Sequence, residues 1–120
     1  MKIIKALTIS ACMLVMTPSL QAQQGAIKIG VVTPLSGTYT GIGQQVRWGL
    51  ELAVKEINTS GGVMGRPIEL VFEDSEANPA VATQKAEKLF QVAKVDFLTG
   101  TVNSGATLAV GQIAERNDRL

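Results

Sequence analysis

The chain has no histidine and one cysteine, Cys12, among its 120 residues. Cys12 falls in an N-terminal stretch that reads as removable, so the remaining sequence has neither residue type. That excludes a disulfide, thiol chemistry and a Cys/His metal site from the remainder, and no cofactor is expected. Charge of one sign is also missing. With Lys2 and Lys5 set aside, nine basic residues face ten acidic ones, and the net charge moves from +1 to −1. No basic cluster or stripe is left, which argues against a nucleic-acid partner. No internal repeat or low-complexity segment occurs, and one domain is the most that this length accommodates.

Long hydrophobic runs are scarce as well. The longest, Ala6 to Leu20, is broken by Thr8, Ser10, Thr17 and Pro18 and falls short of the roughly 20 apolar residues that a spanning helix needs. Lys2 and Lys5 precede it and small or polar residues follow. This order reads as a secretory signal peptide over residues 1–22, with Ala22 the last residue before cleavage. Ile9-Ser10-Ala11-Cys12 resembles a lipobox, which would make Cys12 a lipid anchor. Yet few residues separate it from Lys5, and apolar Met13-Leu14-Val15-Met16 runs on beyond it, so ordinary cleavage is favoured. Residues 23–120 then form the mature segment.

The pattern of that segment is β-α-β-α-β-α. Ala26 to Thr33 is β-branched and mostly apolar, a strand buried on both faces. Pro34 to Gly43 is a loop rich in Pro, Ser, Thr and Gly. Val46, Leu50, Ala53, Val54 and Ile57 recur at helical spacing, with Arg47, Glu51, Lys55 and Glu56 on other faces and Trp48 off the stripe. The turn Asn58 to Pro67 holds Gly61, Gly62 and Gly65, which permit positive φ, and leads into a strand from Ile68 to Phe72. Glu73 to Ala77 reads as a solvated polar loop. Asn78-Pro79 starts a helix, with Asn as N-cap and Pro first inside, and Ala82, Ala86, Leu89, Phe90 and Ala93 supply its stripe. Val95 to Thr99 is a third strand. Ser104 then caps a helix whose apolar side includes Leu108, Ala109, Ile113 and Ala114. This alternation predicts an α/β fold, a parallel sheet with helices on both faces.

Right-handed crossovers and the usual α/β strand orders suggest that the first strand sits between the other two. Open α/β sheets bind ligands outside the carboxyl ends of their strands where the strand order reverses. The loops 35–43 and 101–104 flank that point, which nominates Ser36, Thr38, Tyr39, Asn103 and Ser104 as ligand-facing. Ser104 is the sharpest of these, because a helix N-terminus offers free N–H groups to an anion.

Competing chemistry is weak. Gly100 to Thr107 nearly matches a phosphate-binding loop, but Ala106 stands where the essential lysine belongs. Gly41-Ile42-Gly43 lacks the third glycine of a dinucleotide fingerprint. Glu73, Asp74 and Glu76 read as acids favoured near a helix N-terminus, rather than as a catalytic or metal cluster. A phospho-receiver site would need acids where Thr33-Pro34-Leu35 stand. Neither Ser36 nor Ser104 sits in a nucleophile elbow. Asn58-Thr59-Ser60 matches a glycosylation pattern but lies in a helix-ending turn.

In order and spacing, several motifs together resemble the N-terminal part of periplasmic solute-binding proteins of the branched-chain amino-acid type. These are Ile29 to Gly37, then Gly43, Gly49 and Ala53 to Asn58, then Gly61-Gly62-Val63-Met64-Gly65-Arg66-Pro67. Glu73-Asp74, Pro79, Leu89, Val95, Gly100 and Ser104 continue the match across nearly all of the mature segment. The resemblance implies the start of lobe 1 of a two-lobed type I binding fold. Such a protein closes on a small ligand without catalysis and delivers it to an inner-membrane ABC permease, monomeric when full length. It implies that Ser104 meets the ligand's carboxylate, that the loop 35–43 lies near its side chain with Tyr39 and Ile42 as candidates, and that the protein is periplasmic. The ligand would be an amino acid or a related carboxylate. Some members join two of these loops by a disulfide, at positions that correspond to Ala77 and Asn103 here. A second lobe past residue 120 is expected, so the 120-residue segment alone should be marginally stable and bind ligand weakly. A ligand sensor with the same fold is the alternative reading, and a secreted α/β hydrolase a remote one.

Overall fold

The computed structural model describes residues 25–120; the expected signal peptide, with Cys12, lies outside the described residues. β1 (Ile27–Thr33) is central in a three-stranded parallel sheet of order β2-β1-β3, the order expected from the sequence. It pairs with β2 (Ile68–Asp74) from Ile27↔Ile68 to Thr33↔Asp74, and with the short β3 (Phe97–Thr99) from Ile29↔Phe97 to Val31↔Thr99. The helices between and after the strands are α1 (Thr40–Thr59), α2 (Pro79–Lys88) and α3 (Ser104–Arg116). A turn of π-helix, Leu89–Ala93, extends α2 and ends at Lys94 in the left-handed region.

Side chains alternate across a strand, and the two faces of this sheet meet different helices. Val32 belongs to the main core with Ala82, Ala86, Leu89, Phe90, Val95, Ala106, Val110, Ile113 and Ala114, and Val71 and Leu98 pack against it. This face is covered by α2 and α3. Burying side chains such as Leu89, Ile113 and Phe90 contributes about 1.5–3 kcal/mol each. On the opposite face α1 covers β1 and β2, and the Arg47 guanidinium lies over the Phe72 ring, 4.8 Å from its centroid. Helices therefore flank both faces.

Several boundaries differ from expectation. α1 begins at Thr40, so Ile42 and Gly43 are helical rather than loop. Its stripe is shallow: Val46, Leu50 and Val54 are half-buried, Ala53 and Ile57 exposed, and only Gly43 fully buried. Arg47 packs on Phe72 instead of pointing away. In α3 Leu108 is exposed, and Ala106 and Val110 join Ile113 and Ala114 in the core. Positions 106, 110, 113 and 114 keep helical spacing, whereas 108 falls about 200° round from 106. β2 extends to Asp74, and β3 begins only at Phe97, after Asp96 and Lys28 have exchanged backbone and side-chain hydrogen bonds.

The turn after α1 is fastened from both sides. The Asn58 amide donates to Ile68 O at 2.9 Å and accepts from Ile68 N at 2.8 Å. Val63 and Arg66 exchange backbone bonds of 2.8 and 3.0 Å around Met64 and Gly65, both at positive φ, which is a tight hairpin. Pro67 precedes β2, and its carbonyl accepts from Ile27 N at the start of β1. The turn thus occupies the amino-end edge of the sheet.

Candidate functional site

β1 lies between β2 and β3 in a parallel sheet, and the loops that follow β1 and β3 share its carboxyl-end edge. After Thr33, the carbonyl of Pro34 lies so close to α1 that a Cβ on Gly43 would sit 1.7 Å from its oxygen. A side chain at 43 would push the helix start off this loop. Thr40 caps the turn from outside, its Oγ1 donating to Gly37 O at 2.6 Å. Ser36 is exposed at the loop's tip, while Tyr39 and Ile42, at the start of α1, are 48% and 49% exposed. Three of the nominated residues therefore stand on one accessible shoulder.

Across β1, α3 begins differently from expectation. The cap is Asn103, not Ser104. Asn103 is extended (φ −128°, ψ 149°), and its Oδ1 accepts from Ala106 N at 2.7 Å. Ser104 is the first helical residue and its side chain is exposed. The backbone N–H groups of Ser104 and Gly105 fall in the first turn, where a helix has no internal acceptor for them. Thr107 steadies this turn through Asn103 O at 2.9 Å and Thr101 Oγ1 at 2.8 Å. The other end of the Asn103 amide donates to Ala77 O at 3.0 Å, so both ends of that side chain are engaged within the protein. Ala77 and Asn103, the two positions that the resemblance pairs, are thus joined here by a hydrogen bond.

The carboxyl end of β2 carries what the sequence reading missed. Asp74 Oδ1 accepts from Leu35 N at 2.8 Å and from Glu76 N at 2.9 Å. Burial raises the Asp74 pKa, but hydrogen bonds from the Ser36 hydroxyl and from the N–H groups of Glu76, Leu35 and Ser36 outweigh it, and the carboxyl lies below its ordinary range. Glu73 is not in a solvated loop. Its carboxylate meets Lys88 Nζ at 2.6 Å and Lys85 Nζ at 3.1 Å with its side chain 13% exposed. Burial again raises its pKa, and hydrogen bonds and charge from Lys88 and Lys85 bring it below the ordinary range. A strand ending in two acids, with lysines at helical spacing twelve and fifteen residues later, was the signal available for that pairing.

Larger concavities lie elsewhere. One of about 220 Å³ is lined by Phe90, Lys94, Val95, Asn117 and Arg119, and another of about 550 Å³ runs along α1 over Leu52, Lys55, Glu56, Thr59 and Ser60. Lys94 and Val95 precede β3 and Ser60 follows α1, so both concavities belong to the amino-end edge. The carboxyl-end edge instead offers an open shoulder of hydroxyls and free N–H groups, suited to receiving an anionic group on a small molecule.

Known proteins resemble this chain in sequence and fold. A sequence model of the family described as "Periplasmic binding protein" matches residues 26–120. The Leu/Ile/Val-binding protein homolog 2 of Brucella abortus is 37% identical over 94 residues, covering 78% of this chain and 25% of that protein. Among solved structures, a solute-binding protein of an ABC transporter from R. palustris, in complex with benzoate, is 42% identical with a TM-score of 0.69. It covers 78% of this chain and 25% of its own. The branched-chain amino acid transporter substrate-binding protein of Streptococcus pneumoniae, in complex with isoleucine, is 35% identical with a TM-score of 0.75, covering 78% and 27%. The chain spans about a quarter of the length of these relatives. Sheet order, the loops at its carboxyl-end edge and a match over almost every described residue converge, and the chain belongs to the periplasmic binding protein family.

Proposed function

We propose that the full-length protein is an exported solute-binding receptor of an ABC importer, which holds a small carboxylate between two lobes and releases it, without chemistry, to an inner-membrane permease. Residues 1–22 would be removed on export, and the mature protein would act in the periplasm as a monomer. The observation that carries this reading is the start of α3 at the strand-order reversal, where the exposed Ser104 hydroxyl stands beside the first-turn N–H groups of Ser104 and Gly105. A carboxylate placed there gains charge-assisted hydrogen bonds and the favourable end of the helix dipole. Ser36 on the β1 loop and Tyr39 and Ile42 at the start of α1 are exposed at the same edge and would read the rest of the ligand. Asn103, with both amide ends engaged, would hold the helix start in place. An amino acid and an aromatic acid both fit this chemistry, and the relatives solved with isoleucine and with benzoate support that range.

A thermal-shift screen of the full-length protein against amino acids and aromatic acids tests the reading. A ligand at a hundred times its Kd adds about 2.7 kcal/mol of apparent stability. Ser104→Ala should weaken binding of the hit about tenfold to a hundredfold, the worth of a hydrogen bond to a charged group. A hit that lacks any anionic group, and is indifferent to Ser104→Ala, would overturn the assignment.

A further inference from the structure

We propose that Asp74 is a positioning residue for the ligand shoulder: it fixes the Leu35–Ser36 segment against the loop Ser75–Ala77, and Asn103 carries that placement to the start of α3. This inference deepens the reading above and rests on it.

The geometry is a chain of hydrogen bonds across the carboxyl ends of all three strands. Leu35 N and Glu76 N converge on one oxygen of Asp74, at 2.8 and 2.9 Å. Ser75, 2% exposed, donates its N–H to Thr33 O at 3.0 Å and accepts Ala77 N on its Oγ at 3.3 Å. Ala77 O then receives the Asn103 amide at 3.0 Å, whose other end caps α3 at Ala106 N. The β1 loop, the β2 loop and the α3 start are thereby joined by two side chains, Asp74 and Asn103.

The middle of this chain is strained. Glu76 and Ala77 both have positive φ, 52° and 55°. Neither is glycine or asparagine, and two consecutive left-handed residues of this kind persist only where their surroundings over-determine them. Here the surroundings are Asp74 Oδ1 on Glu76 N and Ser75 Oγ and Asn103 Nδ2 on Ala77. The strain is held at the edge where the ligand is expected, and the loop that carries Ser36 is anchored by the same carboxylate. If Asp74 lets go, Ser36 and Ser104 keep their strands but lose their fixed separation. The fraction of protein with a competent shoulder falls, and apparent affinity falls by the same fraction.

The test uses the full-length protein and two variants. Asp74→Asn keeps the Oδ1 acceptor and loses the charge, whereas Asp74→Ala loses both. Amide hydrogen exchange on unliganded protein should quicken at Leu35, Ser36 and Glu76 by about tenfold in Asp74→Asn and more in Asp74→Ala, the worth of hydrogen bonds to a charged acceptor. Exchange at Val31, Val32 and Val71 in the strands should stay unchanged. Titrations with L-isoleucine and with benzoate should show a Kd raised about tenfold in Asp74→Asn for whichever probe the wild type takes. Unchanged exchange at Leu35 and Glu76 in Asp74→Asn overturns the proposal, and so does quickened exchange with an unchanged Kd. Exchange that quickens equally through the strands also overturns it, since that marks a general loss of stability. Wild-type protein that takes no carboxylate fails the functional reading first, an outcome distinct from a variant that binds as well as wild type.

Discussion

Gly43→Ala is the sharpest perturbation this structure offers, because local and tertiary effects oppose each other at one position. Gly43 is helical, and alanine in a helix interior is favoured over glycine by about 1 kcal/mol. Against that, the new Cβ would lie 1.7 Å from Pro34 O and 2.7 Å from Pro34 C, where real Cβ atoms keep 3.0 Å or more. Both contacts are to backbone and Pro34 is itself fully buried, so no side-chain rotation relieves them. Either α1 or the loop must move by more than an ångström, an overpacking cost of about 2–4 kcal/mol. The clash wins, and a net loss of about 1–3 kcal/mol is expected. Gly49 in the same helix has nothing within 4 Å of its built Cβ, so Gly49→Ala should stabilise by about 0.5–1 kcal/mol. Urea unfolding of the full-length protein, followed by helix signal for wild type and each variant, measures both. Two variants that shift the midpoint in the same direction would refute the claim that Pro34 seats on Gly43. The displaced loop carries Ser36, so Gly43→Ala should also weaken ligand binding, whereas Gly49→Ala should not.

Asn78→Ala removes the side-chain acceptor of Ala80 N and Val81 N at the start of α2, and should cost about 1 kcal/mol in the same unfolding assay. Met64 is 97% exposed with φ 51°, so Met64→Gly should relieve backbone strain and stabilise by up to about 1 kcal/mol; a loss would show that the side chain packs usefully. Glu73 and Asp74 have folded pKa values below their ordinary range. Their contribution to stability is therefore present above the unfolded carboxylate pKa and is lost as pH falls through the depressed folded values. Unfolding free energy should decline in acid, and Glu73→Gln should flatten that decline while costing about 1 kcal/mol near neutrality, since both lysines are partly exposed.

What the sequence made legible was whatever local chemistry controls. β1 is a β-branched run, Asn78-Pro79 is a cap followed by a compatible first residue, and the glycines from 61 to 65 all stand at positive φ. The strand order followed from right-handed crossovers together with the strand orders usual in α/β sheets. The misses share a cause, which is a partner distant in the chain. Gly43 looked like loop because glycine is a loop former, yet its smallness answers to Pro34 against the helix. Glu73 and Asp74 looked like solvated loop because they are acidic, but they are strand residues satisfied by Lys85 and Lys88 and by Leu35 N. Ser104 was located correctly as a helix start, yet the cap passed to Asn103, whose longer amide reaches Ala106 N and Ala77 O together. At the candidate site, the edge was legible from topology and the exposed hydroxyls from composition. The side chains that set the spacing between the loops were not.

The two edges of the sheet are specified in different ways, and this bears on how one fold serves several ligands. The amino-end edge is fixed largely by backbone conformation: Gly61, Gly62 and Gly65 at positive φ, the paired bonds between Val63 and Arg66, and Pro67 feeding β1. Such a turn tolerates little change, since a side chain at 61, 62 or 65 would be strained at positive φ. The carboxyl-end edge is held by side chains, chiefly Asp74, Ser75, Asn78 and Asn103, while Ser36, Tyr39, Ile42 and Ser104 remain exposed beside them. A residue that is exposed and makes few contacts can be exchanged at small cost to stability, so the shoulder can be rewritten while its supports stay. The benzoate-bound relative at 42% identity and the isoleucine-bound one at 35% each cover 78% of this chain, so likeness over this stretch does not by itself choose between the two kinds of acid. Under the function proposed above, ligand choice would turn on Tyr39 and Ile42, with Ser104 supplying the carboxylate contact common to both kinds of acid.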